Sequence, residues 1–182
     1  MDAVKITELF KGQQLEEIQY WLDMQSPYID EEMWEKRNSY YAKHTQELNT
    51  LHIFTTDLAR DIFSEHNLLP SFSRIHWYEF SPKGEEHYDE GPVEHTIFYN
   101  YYSEEPVVFS HNGEKITLEN NEAIAYCGKE FPHYRNESEG ISICLVFNYA
   151  SPSNPHFALG EYNGRGTYRF KSNKEEVEVD WL

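Results

Sequence analysis

From residue 71 onward the sequence alternates apolar and polar residues with a period of two, and this pattern constrains the fold more than any other feature. Turn-forming residues separate segments that are rich in β-branched and aromatic residues: 72–80, 95–102, 107–109, 115–118, 123–127 and 141–147. Asn112-Gly113 supplies the positive φ angles that a tight hairpin turn needs. Short strands joined by hairpin turns predict an antiparallel sandwich or barrel.

The first seventy residues have a helical pattern instead. Leu15, Ile18 and Leu22 recur at helical spacing and predict a first helix. Two further helices are expected, one over residues 31–51 and one over residues 56–67. Helices followed by hairpin-linked strands fit a mostly β fold with N-terminal helices: the double-stranded β-helix, a barrel shared by jelly rolls and cupins, backed by helices.

The length of the chain predicts a single domain over residues 1–182. Within it we expect residues 1–70 to form a helical support and residues 71–150 to form the core of the barrel. Residues 151–182 are expected to add two short strands, at 167–170 and 175–181, together with loops.

The charge balance is strongly acidic, with 15 Lys and Arg against 32 Asp and Glu, a formal net charge of −17. A nucleic-acid backbone would be repelled by such a chain, so no nucleic-acid partner is expected. No apolar run approaches the roughly 20 residues of a membrane-spanning helix, and the N-terminus does not resemble a signal peptide. We therefore expect a cytoplasmic protein without membrane contact, in which Cys127 and Cys144 are reduced and buried in strands.

The motif His87-Tyr88-Asp89 carries the clearest chemical signal. In a strand, residues two apart point to the same face, so the imidazole of His87 and the carboxylate of Asp89 can face a common point. Two His and one carboxylate form the ligand set expected for non-haem Fe(II), which leaves further coordination positions open. His133 is the candidate for the second His, while His95 and His111 are nearby alternatives at a strand start and a hairpin tip. Each of these residues could instead be a surface or packed residue.

A set of segments in this region resembles the core of the 2-oxoglutarate and Fe(II)-dependent oxygenases, most closely their prolyl-hydroxylase-like branch. The segments lie within about residues 72–149: Trp77-Tyr78, His87-Tyr88-Asp89, Ile97-Phe98-Tyr99, Asn112-Gly113, Glu122-Ala123-Ile124-Ala125-Tyr126, Pro132-His133 and Gly140-x-Ser142-x-Cys144-Leu145. The resemblance implies that His87, Asp89 and His133 bind iron. It also implies that the Tyr99 hydroxyl donates to a carboxylate of the co-substrate, 2-oxoglutarate.

One position departs from the family pattern. The family has an Arg or Lys about nine or ten residues after the second His, which binds the far carboxylate of 2-oxoglutarate, and here Ser142 takes that place. A carboxylate inside a barrel needs a counter-charge, which a Ser hydroxyl cannot supply. Arg135 is the best local substitute if its planar guanidinium points into the barrel rather than to the surface. Arg74 and Lys129 are weaker alternatives.

The leading prediction is a non-haem Fe(II) oxygenase that uses 2-oxoglutarate to modify a small molecule or an amino-acid side chain. Halogenating relatives replace the carboxylate ligand with a small residue, so Asp89 favours hydroxylation or desaturation. Two alternatives stay open: a cupin-like metal enzyme that does not use 2-oxoglutarate, and a metal-free binding module built on the same barrel.

Overall fold

Two antiparallel sheets form the centre of the fold. The computed structural model describes residues 2–24, 39–42, 46–78, 83–91, 93–155, 168–171 and 176–179. The strands are Val4–Thr7 (β1), Ser39–Ala42 (β2), Leu69–Tyr78 (β3), His95–Ser103 (β4), Val107–His111 (β5), Glu114–Leu118 (β6), Glu122–Tyr126 (β7), His133–Arg135 (β8), Ser142–Ala150 (β9), Tyr168–Lys171 (β10) and Glu176–Val179 (β11). The helices are Gln13–Met24 (α1) and Gln46–Phe63 (α2).

The larger sheet has six strands in the order β1-β7-β4-β9-β3-β2, and every pairing is antiparallel. The smaller sheet has three strands in the order β6-β5-β8. Its β5-β6 hairpin turns at Asn112 and Gly113, whose φ angles of 50° and 81° are the positive values predicted from the sequence. The expected double-stranded β-helix with helical backing is confirmed.

The larger sheet has two buried faces, because side chains alternate along each strand. Its helix face packs against α1 and α2, and its residues include Ile97, Tyr99, Ala125, Leu145 and Phe147. Its barrel face packs against the smaller sheet. The buried residues between the two sheets, which form the interior of the barrel, are Phe98, Val107, Phe109, Leu118, Ile124, Tyr126, Cys144 and Val146.

The helical prediction for the first seventy residues is partly wrong. Helix α1 is present, but the expected helix over 31–51 is interrupted by β2, which pairs with β3. Tyr40 and Tyr41 suit a strand, and the edge of β3 is available to them. Residues expected in two separate helices form the single helix α2, while β1 is a strand that the sequence pattern did not indicate. Residues 25–38 lie outside the described part of the chain.

The remaining structural predictions concern the tail and the cysteines. The two short strands expected in the tail are β10 and β11, and they form an antiparallel pair with each other. Cys127 and Cys144 are both free and buried, as predicted, but only Cys144 lies in a strand, because β7 ends at Tyr126. Burial raises the pKa of the Cys144 thiol to about 11. None of the helices in the described ranges is long and apolar enough to cross a membrane.

Candidate metal centre

Three ligand-type side chains converge where the loop of residues 83–91 crosses strand β8. The ligand atoms of His87, Asp89 and His133 all lie within 4.8 Å of one another. Asp89 Oδ1 is 3.6 Å from His133 Nε2 and 3.9 Å from His87 Nε2. Bonds to a divalent transition metal are about 2.1 Å long, so two ligand atoms of one ion lie up to about 4.2 Å apart. The three side chains are therefore close to the spacing of a single metal site.

Backbone hydrogen bonds place these residues. His87 and His133 form an antiparallel bridge, with N–H to O=C distances of 3.1 and 3.0 Å in the two directions. The Asp89 N–H donates to the carbonyl of Gly128 at 2.8 Å. The loop is thus tied both to β8 and to the segment that follows β7. These ties bring together residues that are 44 to 46 positions apart in the sequence.

A hydrogen bond from Nδ1 to a backbone carbonyl orients each of the two imidazoles. The Nδ1 of His87 lies 2.8 Å from the Glu85 carbonyl oxygen, and the Nδ1 of His133 lies 3.2 Å from the Phe131 carbonyl oxygen. A carbonyl only accepts hydrogen bonds, so each Nδ1 carries a proton, and in the neutral imidazole the lone pair is then on Nε2. Both Nε2 atoms face Asp89 Oδ1. This arrangement of donor atoms and supporting carbonyls is the one that metal-binding His residues use.

Gly128 makes room for the carboxylate. A Cβ at this position would lie 1.9 Å from Asp89 Oδ2 and 2.9 Å from His133 Cε1, both too close for any side chain. The sequence indicated only that Gly128 ends a strand. Its close approach to Asp89 depends on a contact across 39 residues, which no local pattern reveals.

Arg135 lies inside the barrel. It is 8% exposed, its guanidinium stacks over the Tyr78 ring at 4.4 Å, and Nη2 donates to Ser138 Oγ at 3.0 Å and to Ser142 Oγ at 2.8 Å. Its Nε and Nη1 are buried without a hydrogen-bond partner among the described residues. The guanidinium therefore reaches the position beside Ser142 where the family pattern led us to expect a cation, but it comes from a different strand.

Tyr99 is not brought to this site. It lies on the helix face of the larger sheet, fully buried, with its ring edge-on to Phe10 at 5.1 Å. Its hydroxyl donates to Asn121 Oδ1 at 2.9 Å, and burial raises its pKa. The expected role at the co-substrate is corrected here, because the neighbouring residues Phe98 and Asn100 are the ones that face the barrel.

Two of the alternative residues, His95 and Lys129, have partners outside the cluster of His87, Asp89 and His133. His95 Nε2 lies 3.0 Å from Glu65 Oε1, and its ring stacks on Phe63. Lys129 lies 3.7 Å from a carboxylate oxygen of Glu94. His111 is closer to the centre, since it pairs with His133 across β5 and β8. Burial and then the charge of His133 lower the pKa of His111.

Aromatic rings form a wall beside the second His. Tyr126 and Phe109 lie 4.7 and 5.9 Å from the His133 ring and 5.0 Å from each other. Arg74 lies on β3 opposite Val146, a barrel-face residue, and interacts electrostatically with Tyr126. The centre thus has an apolar wall on the β8 side and a cation on the β3 side.

Comparisons with known proteins identify the fold through structure alone. No family model matches the chain, and no curated protein is significantly similar in sequence. An oxidoreductase of the 2OG-Fe(II) oxygenase family from Burkholderia pseudomallei has a TM-score of 0.59 and 11% identity, with 84% of this chain and 85% of that chain covered. A viral collagen prolyl hydroxylase from Paramecium Bursaria Chlorella virus-1, in complex with 2OG, has a TM-score of 0.58 and 12% identity, with 82% and 95% covered.

A third similar structure is HygX from Streptomyces hygroscopicus with nickel, 2-oxoglutarate and hygromycin B bound. It has a TM-score of 0.60 and 8% identity, and the match covers 83% of each chain. At such low identities the likeness establishes the fold. This chain has the double-stranded β-helix fold of the 2OG-Fe(II) oxygenases, including the prolyl hydroxylases, as the sequence resemblance implied.

Proposed function

We propose that this protein is a non-haem Fe(II)-dependent oxygenase that uses 2-oxoglutarate to hydroxylate a small molecule or an amino-acid side chain. The observation that carries the proposal is the convergence of His87, Asp89 and His133 on one point. Two imidazoles and one carboxylate with further coordination positions left open form the ligand set of non-haem Fe(II) oxygenases.

The donor atoms fit a metal ion. Two Nε2 atoms and one carboxylate oxygen face one another, and the backbone carbonyls of Glu85 and Phe131 hold the imidazoles in that orientation. We assign Fe(II) binding to these three side chains.

The co-substrate site is assigned to Arg135. Within the described ranges no carboxylate pairs with this buried guanidinium, and two of its nitrogens have no hydrogen-bond partner. A buried cation without a counter-charge is unfavourable, whereas a carboxylate placed against it gains short, charge-assisted hydrogen bonds. The far carboxylate of 2-oxoglutarate is such a partner. The hydroxyl of Ser142 accepts a hydrogen bond from Nη2 of Arg135 and so orients the guanidinium.

The protein residues bind, orient and exclude water. His87, Asp89 and His133 hold the metal, Arg135 with Ser142 holds the co-substrate, and the rings of Phe109 and Tyr126 keep the His133 side of the site apolar. When bound, Fe(II) and 2-oxoglutarate supply the oxidising chemistry: O2 is divided between the substrate, which gains a hydroxyl group, and 2-oxoglutarate, which becomes succinate and CO2.

The substrate class stays broad in this proposal. Among proteins of the same fold, HygX was solved with hygromycin B, and a prolyl hydroxylase from Trichoplax adhaerens was solved with a hypoxia inducible factor peptide fragment. We therefore propose a small molecule or an amino-acid side chain in a peptide as the substrate of this chain.

One anaerobic experiment tests the proposal. Adding Fe(II) and then 2-oxoglutarate to the protein without O2 is expected to produce the weak visible charge-transfer band of a chelated 2-oxo acid. Admitting O2 should then release succinate. Stoichiometric Fe(II) binding without the band would favour the cupin-like enzyme that does not use 2-oxoglutarate, and a protein that takes up no metal would be a binding module.

A further inference from the structure

Thr96 joins Asp89 to a buried amide on the neighbouring strand. Thr96 on β4 pairs with Asn148 on β9, and both side chains are at most 2% exposed. Thr96 Oγ1 lies 2.9 Å from Asn148 Oδ1 and 3.4 Å from Asp89 Oδ2. The oxygen of Asp89 that Thr96 approaches is not Oδ1, the one that faces the two imidazoles.

The number of available hydrogens decides which hydrogen bonds Thr96, Asn148 and Asp89 can form with one another. A Thr hydroxyl has one hydrogen, and the carboxylate of Asp89 can only accept. If the amide oxygen faces Thr96, two acceptors compete for that hydrogen, while Asn148 Nδ2 is buried with no hydrogen-bond partner in the part of the chain that the structure describes. The two amide atoms of Asn differ only through the hydrogen bonds that they make. Rotating the amide by 180° places Nδ2 against Thr96 and leaves the hydroxyl hydrogen for Asp89.

The rotated amide is also the less costly arrangement. A buried N–H without an acceptor is rarer in proteins than a carbonyl oxygen without a donor. The Thr96 oxygen has two lone pairs, so it can accept from Asn148 while it donates to Asp89. Tyr126 on β7 pairs with Thr96 on the other side of β4.

We propose that Thr96 and Asn148 are positioning residues for Asp89. Asn148 donates its amide N–H to Thr96, and Thr96 donates its O–H to Asp89 Oδ2. Oδ1 is thereby held toward His87 and His133. Gly128 lies against the same oxygen, Oδ2, where its missing side chain leaves space for the carboxylate. This inference rests on the proposed metal centre, and it adds two residues that touch neither the metal nor a substrate.

Metal affinity, measured apart from catalysis, tests the roles of both residues. Co²⁺ is titrated calorimetrically into the metal-free protein and its variants. Thr96→Val removes the hydroxyl at nearly constant volume and is expected to weaken Co²⁺ binding about tenfold or more, the usual effect of losing a group that orients a ligand. Thr96→Ser keeps the hydroxyl and should restore most of the affinity. Thr96→Ala provides the same comparison if Thr96→Val does not fold.

A double-mutant cycle separates positioning from packing. Asn148→Leu should also weaken Co²⁺ binding, but combining it with Thr96→Val should cost nothing further, because Asn148 acts through the Thr96 hydroxyl. Fully additive losses would show that Asn148 acts independently and would overturn the proposed chain of hydrogen bonds.

Thr55→Val is the matched control. Thr55 is buried, and its hydroxyl lies 2.6 Å from that of Tyr149, a helix-face residue. This variant should lower stability while Co²⁺ affinity stays at the wild-type value. Wild-type Co²⁺ affinity in Thr96→Val would overturn the role of Thr96 but would leave the metal centre in place. A wild-type protein that binds no Co²⁺ would overturn the metal centre itself, and with it this proposal.

Discussion

Arg135 on strand β8 donates a 2.8 Å hydrogen bond from Nη2 to the Oγ of Ser142 on strand β9. The two residues are seven positions apart, and they meet because both face the interior of the barrel. A positive charge beside Ser142 is therefore supplied by a neighbouring strand. The absence of a cation at position 142 of the sequence does not leave this part of the barrel uncharged.

Replacing Arg135 should weaken co-substrate binding selectively. Arg135→Gln leaves the far carboxylate of 2-oxoglutarate without its counter-charge, and we expect the dissociation constant of 2-oxoglutarate to rise by about 30-fold, equivalent to about 2 kcal/mol. Co²⁺ affinity should not change. Anaerobic titration of the charge-transfer band measures the first quantity, and calorimetry measures the second.

Two further variants make the Arg135 test specific. Lys129→Gln also removes one positive charge, but from a side chain that is 50% exposed, and it should leave 2-oxoglutarate binding intact. Adding Ser142→Arg to Arg135→Gln returns a cation to the same place from β9 and should recover much of the affinity. Unchanged binding in Arg135→Gln alone would contradict the assignment.

Removing a ligand should abolish metal binding without unfolding the protein. Asp89→Ala and His133→Ala each leave only two protein ligands, so we expect no stoichiometric Fe(II) in either variant under anaerobic conditions. Far-UV circular dichroism should match that of the metal-free wild type. His66→Ala, which changes an exposed His, is the control. Stoichiometric iron in both ligand variants would refute the ligand set.

A single methyl group at Gly128 should disturb the centre. In Gly128→Ala the added Cβ would overlap Asp89 Oδ2, so the carboxylate must move away from the two imidazoles. We expect Co²⁺ affinity to fall by about tenfold to a hundredfold. Gly113→Ala is the matched control, because it has open space and a φ of 81°. That variant should lose about 1 kcal/mol of stability and keep its metal affinity.

Removing the Tyr99 hydroxyl should affect stability only. Tyr99→Phe deletes the hydrogen bond to Asn121, which we expect to cost about 1 kcal/mol in the free energy of unfolding. The 2-oxoglutarate dissociation constant should equal the wild-type value, since Tyr99 lies on the helix face. A large rise in that constant, with metal affinity unchanged, would mean that Tyr99 reaches the co-substrate after all.

Acid stability should depend on Glu94. Burial acts to raise its pKa, but hydrogen bonds from Ser151 and Asn154 and the charge of Lys129 together lower it below the ordinary value of 4.5. A carboxyl with a lowered folded-state pKa contributes stability above pH 4.5, and this contribution is lost as pH falls through the folded-state pKa. Urea unfolding from pH 7 down to pH 3 should show a shallower acid decline for Glu94→Gln than for wild type. Parallel declines would contradict this.

Local sequence patterns predicted the parts of the structure that depend on neighbouring residues. The β5-β6 hairpin follows from Asn112-Gly113, whose backbone angles are set by the two residues themselves. The β-branched and aromatic composition of residues 95–102 and the continuous apolar run of residues 141–147 predicted the strands β4 and β9. His87 and Asp89 were recognised because two residues of the same extended segment share a face.

Features that depend on distant pairing could not be predicted in this way. Which face of β4 Tyr99 occupies is decided by its alignment with Ala123 and Leu145, and that register includes an irregularity between Asn100 and Tyr102. Strand β2 forms against the edge of β3, although residues 31–51 also have a helical repeat. Thr96 and Asn148 are 52 positions apart, so their contact with each other is visible only in the folded chain.

The bridge between His87 and His133 also protects the edge of a sheet. Strand β8 lies at the edge of the smaller sheet, and its outer backbone groups would otherwise be free to pair with another chain. The Gly84 N–H donates to the Arg135 carbonyl, and His87 exchanges two backbone hydrogen bonds with His133. The loop that carries two of the three ligands is therefore also a cover against edge-to-edge aggregation, and a substitution that detaches it would expose the protein to self-association as well as weaken its metal site.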